Sequence, residues 1–225
     1  MSEIKIYSYL YNNDLSDKQK QKLLKVLNIY EREKVKNFKQ SLDADISLIS
    51  RFLLRNILSP LVNKKPEEIE FLYNEYNRPY IGGLDFNLSH SGNRIVIVTN
   101  QQGRVGVDIE KIRPVEMSLA EICFTKEEMN HVVYKNNFNL DNFFQLWTLK
   151  ESFIKADGKG MSYPLLDFFF EIDEKIRINF KNDNLENNWK FKVFEIDPEY
   201  KMSVCFEGTS RIKAIKQINN LENIF

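Results

Sequence analysis

A chain of 225 residues, 43% hydrophobic and 28% charged, is long enough to bury its own core and too mixed in composition to be disordered, collagenous or a coiled coil. Its 32 basic and 32 acidic residues cancel, which argues against a nucleic-acid binder, where a basic excess is expected. Two cysteines without a CxxC pair, and no run approaching the ~18 apolar residues of a membrane span, predict a reduced, soluble, cytoplasmic protein with no disulfide, structural zinc or membrane contact.

In chain order, residues 3–10 read as a strand. From Ser16, an N-cap, to Phe38 the pattern is helical with a break near Asn28. Leu42, Ile46, Ile49, Leu53 and Ile57 then recur at spacings of three and four, predicting an amphipathic helix that Pro60 stops. Short strands are expected at 69–73, 85–89, 94–99 and 105–110, separated by turn signals at Asn77-Arg78-Pro79, Gly82-Gly83 and Ser91-Gly92-Asn93. Thr125-Lys126-Glu127-Glu128 is a capping box, and Asp141 is expected to cap a longer helix through Ala156, ended by Gly158. Phe168, Phe170 and Ile172 should face Ile176, Ile178 and Phe180, while Trp189, Phe191 and Val193 precede Met202, Val204 and Phe206 across the turn at Asp197-Pro198. The class is α+β. Two similar subdomains, 1–103 and 104–225, are expected to bury a common face, because either alone would have a thin core.

Three stretches carry interpretable chemistry. In Gly103-Arg104-Val105-Gly106-Val107-Asp108-Ile109-Glu110-Lys111 a strand puts Asp108 and Glu110 on one face, which suits either water or a hard cation such as magnesium. In Leu146 to Lys155 a helix aligns Trp147, Glu151 and Lys155 on one stripe. These are either a solvated i,i+4 pair or a third carboxylate with a lysine beside it for phosphate. Phe86-Asn87-Leu88-Ser89-His90-Ser91-Gly92 ends a strand in hydroxyls and imidazole at a turn, either a phosphate site or an ordinary turn with a satisfied histidine. His131, the second histidine, reads as structural. Arg32, Lys34, Lys36 and Lys39 form a basic cluster that is either a solvated helix face or a partner for phosphate or an acidic protein. Gly158-Lys159-Gly160 is no P-loop, and HExxH, GxSxG and dinucleotide fingerprints are absent.

Taken in order, FNLSHSG, GVDIEKIRP and FFQLWTLKESFIKADGKGMS resemble the signature blocks of the 4′-phosphopantetheinyl transferases, in their larger, surfactin-synthetase-activating type. YEREKVKNF, NRPYI and EIDPEYKMSVC extend the likeness over essentially the whole chain. The resemblance implies a pseudo-twofold pair of α+β subdomains with coenzyme A in the cleft between them. The reaction it implies is Mg2+-dependent transfer of 4′-phosphopantetheine from coenzyme A to a serine of an apo carrier protein (peptidyl, acyl or aryl), releasing adenosine 3′,5′-bisphosphate. Nonribosomal peptide synthesis is one implied setting, with polyketide and fatty-acid synthases equally open. By motif, Asp108, Glu110 and Glu151 would hold the metal, Glu151 would also be the general base, and Lys155 would contact the phosphates. Lys34, Ser47, Arg78, Ser89 and His90 would bind coenzyme A.

Two departures stand out: Ile46 precedes Ser47 where the family usually has a basic residue, and Glu31 stands where a lysine is common. Nucleotide affinity is therefore expected to rest on Arg78, Lys34 and His90. A silent scaffold for coenzyme A or carriers, and a Mg2+-dependent phosphodiesterase using water, are the competing classes. Intact Asp108, Glu110, Glu151 and Lys155 argue against the scaffold. Two self-complementary halves favour a monomer, and Met117 to Val133, with Met117, Leu119, Phe124 and Met129, is the candidate carrier-docking segment.

Overall fold

The computed structural model describes residues 3–12, 15–135, 137–181 and 188–221. The first strand, β1 (Glu3–Leu10), buries Ile4 and Ile6 completely. Ser16 and Asn28 each close a capping box, opening α1 (Asp17–Leu24) and α2 (Ile29–Lys36), so the expected break lies where a new N-cap is supplied. The long α3 (Ser41–Val62) buries Ile46, Ile49, Leu53 and Ile57. It does not stop at Pro60. So near the C-terminus proline removes a single backbone bond, and the end is set by Asn63, in the left-handed region at φ 53°, while Ser59 Oγ donates to Lys64 O. A small hairpin, β2 (Leu72–Tyr73) with β3 (Pro79–Tyr80), leads into β4 (Asp85–Ser91) and β5 (Arg94–Asn100). The turn between β4 and β5 needs Gly92, whose φ is 55°.

The second half begins at β6 (Val105–Lys111), followed by α4 (Met117–Cys123), α5 (Lys126–Val132), a short β7 (Val133–Tyr134) and β8 (Asn137–Phe138), and α6 (Leu140–Asp157). Asn139 caps α6 in place of Asp141, which pairs with Lys201 in the first turn instead. The hairpin β9 (Phe168–Ile172) and β10 (Ile176–Phe180) has the expected register, with Phe170 opposite Ile178. β11 (Trp189–Phe194) and β12 (Tyr200–Glu207) pair with Phe191 opposite Cys205, which puts the two apolar triplets on opposite faces of the sheet. Two last strands, β13 (Arg211–Ile212) and β14 (Lys216–Ile218), lie parallel to β1. They therefore join the first sheet, although 104–225 was expected to belong to the second half.

The halves share one plan: a strand, a long helix and two further strands, ordered β1-β5-β4 in one and β6-β12-β11 in the other, all antiparallel. α3 covers the outer face of the first sheet and α6 that of the second. Between the sheets Ile4, Ile6, Val96, Val98, Val107, Ile109, Met202 and Val204 form a third core. β5 is buried on both faces and reads as a continuous apolar run for that reason. Burying each of these side chains contributes about 1.5–3 kcal/mol. Among the described residues no helix is long and apolar enough to cross a membrane.

How closely α6 lies on β6 is set by Gly106. A Cβ there would meet Ser152 O at 2.1 Å and Ala156 N at 2.6 Å. The facing stripe of α6 is small too, with Thr148, Ser152 and Ala156 at successive turns. Gly106→Ala must lift the helix from the strand and is expected to cost on the order of 1–3 kcal/mol. Urea unfolding checks this; a variant as stable as the wild type would refute it.

Candidate active site between the two sheets

The edges of the two sheets meet as β4 and β6, running parallel. They are joined by side chains, not by a backbone ladder. Asp85 Oδ2, Asn87 Oδ1, Ser89 Oγ and Ser91 Oγ accept from the N–H groups of Val105, Val107, Ile109 and Lys111 at 2.7, 3.0, 3.4 and 3.1 Å. Alternation along β4 puts all four acceptors on the side facing β6. The same alternation on β6 turns Val107 and Ile109 to the inter-sheet core and Asp108 and Glu110 away from it.

Two rungs of this seam orient the acids. Ser89 Oγ donates to Asp108 Oδ1 at 2.9 Å, and Ser91 Oγ donates to Glu110 Oε2 at 2.7 Å. From α6, Lys155 Nζ reaches Asp108 Oδ1 at 2.6 Å and Ser89 Oγ at 3.0 Å. Glu151, one turn earlier on the stripe with Lys155, is turned inward: its Oε1 is buried and accepts no hydrogen bond, as is true of Asp108 Oδ2. The rotation of α6 is pinned by the next stripe. Lys150 is wholly buried, 2.9 Å from Glu128 Oε2, and donates to the carbonyls of Leu165 and Phe168.

Burial first, then repulsion from Asp108 and Glu110, pushes the Glu151 carboxyl above the usual carboxylate range, with Lys155 opposing. Burial also raises Glu110; the Ser91 hydrogen bond opposes this and Asp108 adds to it. The three acids thus feel one another. They are not gathered into a finished cage: among the described residues no three His, Cys, Asp or Glu side chains are grouped so as to hold a metal ion. Even so, hard oxygens, two of them buried without a donor, in mutually repelling carboxylates form a set that a divalent cation such as magnesium fits.

The remaining sequence-derived residues lie on the first half. His90 follows Phe86 and Leu88 on the α3 side of β4. Its side chain is exposed at the surface yet partly desolvated by its surroundings, and this, then Lys155 and Arg51, lower its pKa, with Asp43 and Asp108 opposing. Ser47 is buried on α3, where its hydroxyl and carbonyl both take a hydrogen bond from Arg51, one turn on. Arg78 Nη2 bonds Asp85 Oδ2 at 2.8 Å and Val105 O at 3.1 Å, so this side chain ties the two halves together, with its Nε buried and unbonded. Lys34 is exposed on α2. Glu31 is structural: it closes the α2 capping box and bonds buried Arg55 at 2.9 Å. In the expected docking segment Met117, Leu119 and Ile122 are exposed, whereas Phe124 is core and Met129 packs against it. The sequence singles out Ser91 as a hydroxyl donor at a turn and not as the partner of Glu110, although its alternation with Ser89 mirrors that of Asp108 and Glu110.

Residues 104–205 match the 4′-phosphopantetheinyl transferase superfamily model, and residues 14–102 match the model described as 4′-phosphopantetheinyl transferase, N-terminal. A Bacillus subtilis protein named 4′-phosphopantetheinyl transferase ffp is 34% identical over 90% of this chain and 92% of its own. The 4′-phosphopantetheinyl transferase gsp of Aneurinibacillus migulanus is 31% identical over 98% and 89%. Among solved structures, the holo-[acyl-carrier-protein] synthase of Thermotoga maritima overlaps 48% of this chain and 64% of its own, with a TM-score of 0.39 and 18% identity.

The raised Glu151 carboxyl has a consequence for stability. A folded-state pKa above the unfolded one means that the ionised side chain opposes folding at neutral pH, and that this opposition vanishes below the carboxylate range. Glu151→Gln is expected to raise Tm at pH 7 in chelator, by about 2–4 °C for each kcal/mol relieved. The gain should shrink as the pH falls. A variant that melts lower at pH 7 would contradict unrelieved repulsion at this position.

Proposed function

The chain belongs to the 4′-phosphopantetheinyl transferases, in the surfactin-synthetase-activating type, and transfers 4′-phosphopantetheine to carrier proteins; from that premise we propose which of its residues perform the reaction. The family draws the group from coenzyme A. Asp108, Glu110 and Glu151 hold Mg2+, which when bound offsets negative charge on the pyrophosphate. The supporting observation is the cluster of Ser89, Asp108 and Lys155 within 3.0 Å of one another, with Glu151 one turn from the lysine.

Glu151 accepts the proton of the carrier serine as its oxygen attacks the phosphopantetheine-bearing phosphorus; the pyrophosphate P–O bond breaks and adenosine 3′,5′-bisphosphate leaves. Lys155 meets the phosphate oxygens and neutralises the leaving group. Ser89 and His90 bind nucleotide phosphates, Ser47 lies on the coenzyme A side of α3, and Arg78 and Lys34 contribute cations. The exposed Met117, Leu119 and Ile122, beside exposed Arg113 and Lys126, suit an acidic carrier with an apolar patch. The setting we propose is a cytoplasmic monomer serving carrier domains of nonribosomal peptide synthesis.

The test is mass spectrometry of several apo carriers incubated with the protein, coenzyme A and Mg2+. A gain of one phosphopantetheine is expected on a carrier; free phosphopantetheine formed without any carrier would instead indicate hydrolysis. Glu151→Gln should lower transfer about 10²–10⁴-fold with the fold intact. Substantial retained turnover would reject its role. Arg78→Ala should weaken coenzyme A binding in a direct titration.

A further inference from the structure

The two acids of β6 are held unequally. Asp108 Oδ1 accepts from Ser89 Oγ at 2.9 Å and from Lys155 Nζ at 2.6 Å, so losing one bond leaves the other. Among the described residues Glu110 has one side-chain partner, Ser91 Oγ at 2.7 Å. The cation that stands opposite Glu110 on β12, Lys201, does not pair with it, because its Nζ goes to Asp141 Oδ2 at 2.8 Å instead. Glutamate also has one more side-chain torsion to fix than aspartate.

Ser91 is itself anchored. Its oxygen accepts from Lys111 N–H at 3.1 Å, which leaves the hydroxyl hydrogen to point at the carboxylate. The tight turn that follows is held from both halves: Asn93 Nδ2 donates to Tyr11 O at 2.9 Å, and Asn93 Oδ1 accepts from Tyr200 Oη at 2.8 Å. Ser91 is thus a fixed point for the longer side chain that it bonds. We infer that Ser91 is a positioning residue for the reaction, holding Oε2 of Glu110 so that this carboxylate meets the divalent cation already oriented. This rests on the metal reading of Glu110 made above. A ligand that need not be frozen on binding loses less freedom, so the hydroxyl acts on metal affinity and not on the chemical step.

The experiment is Mn2+ titration followed by electron paramagnetic resonance, with and without coenzyme A, on wild type, Ser91→Ala, Ser91→Thr, Asn87→Ala and Glu110→Gln. Tm is recorded for each variant. Asn87→Ala controls for damage to the seam: it strips the acceptor from Val107 N–H as Ser91→Ala strips it from Lys111 N–H, yet Asn87 bonds no acid among the described residues. Ser91→Ala should weaken Mn2+ binding about tenfold or more, Ser91→Thr should keep most of the affinity, and Asn87→Ala should keep all of it at a lowered Tm. In turnover, Ser91→Ala should need about tenfold more Mg2+ for half-saturation and regain the wild-type kcat at saturating Mg2+. Unchanged Mn2+ affinity in Ser91→Ala, or an equal loss in Asn87→Ala, overturns the assignment. If Glu110→Gln loses Mn2+ and Ser91→Ala does not, the inference falls and the metal reading stands; if the wild type binds no Mn2+ under either condition, both fall. Should Ser91→Ala not fold, Ser91→Cys, a weaker donor of similar size, carries the same comparison.

Discussion

Everything at the centre of this molecule depends on how two strand edges meet. β4 and β6 lie side by side with unpaired backbone groups, and an edge left so must be satisfied or covered. Here the row of Asp85, Asn87, Ser89 and Ser91 satisfies the N–H groups of β6. A backbone ladder would have closed the seam without leaving a polar side chain free to act. Because the rungs are side chains, each serine has a hydroxyl hydrogen to spend, and it goes to the carboxylate next to the N–H it receives. Seam and site are one hydrogen-bond network.

That network sets a charge pattern. Acids gather along β6 and α6, with Lys155 at the boundary of the site. The acids would repel α6 from β6 if packing did not hold the helix down. Gly106 against Ser152 and Ala156 supplies the close approach, and the buried Lys150–Glu128 pair fixes which stripe of α6 looks inward. An ion pair with no exposed surface stabilises little by itself, but a rotated helix would leave both charges unpaired in the core. Strain among the carboxylates is thus carried by groups that take no part in chemistry.

Much of this was legible in one dimension. Alternation in Val107-Asp108-Ile109-Glu110 was enough to separate a core face from an acidic face, and the 3.6-residue period placed Glu151 and Lys155 on one stripe. What periodicity could not carry was partnership across elements. Asp85 and Asn87 read as ordinary strand polar residues until β6 lies beside them. The register of β11 against β12 is not set by the alternation alone, because a turn near Asp197 leaves it open by one residue, and one residue reverses a face. Pro60 was overweighted because its penalty depends on how much helix follows.

β13 and β14 return to flank β1, with Glu3 opposite Arg211, so the border of the opening sheet is sealed by a segment far along the chain. Contacts of such long sequence separation form only after the intervening loop is closed, so the first half keeps an open margin until the second has folded back upon it.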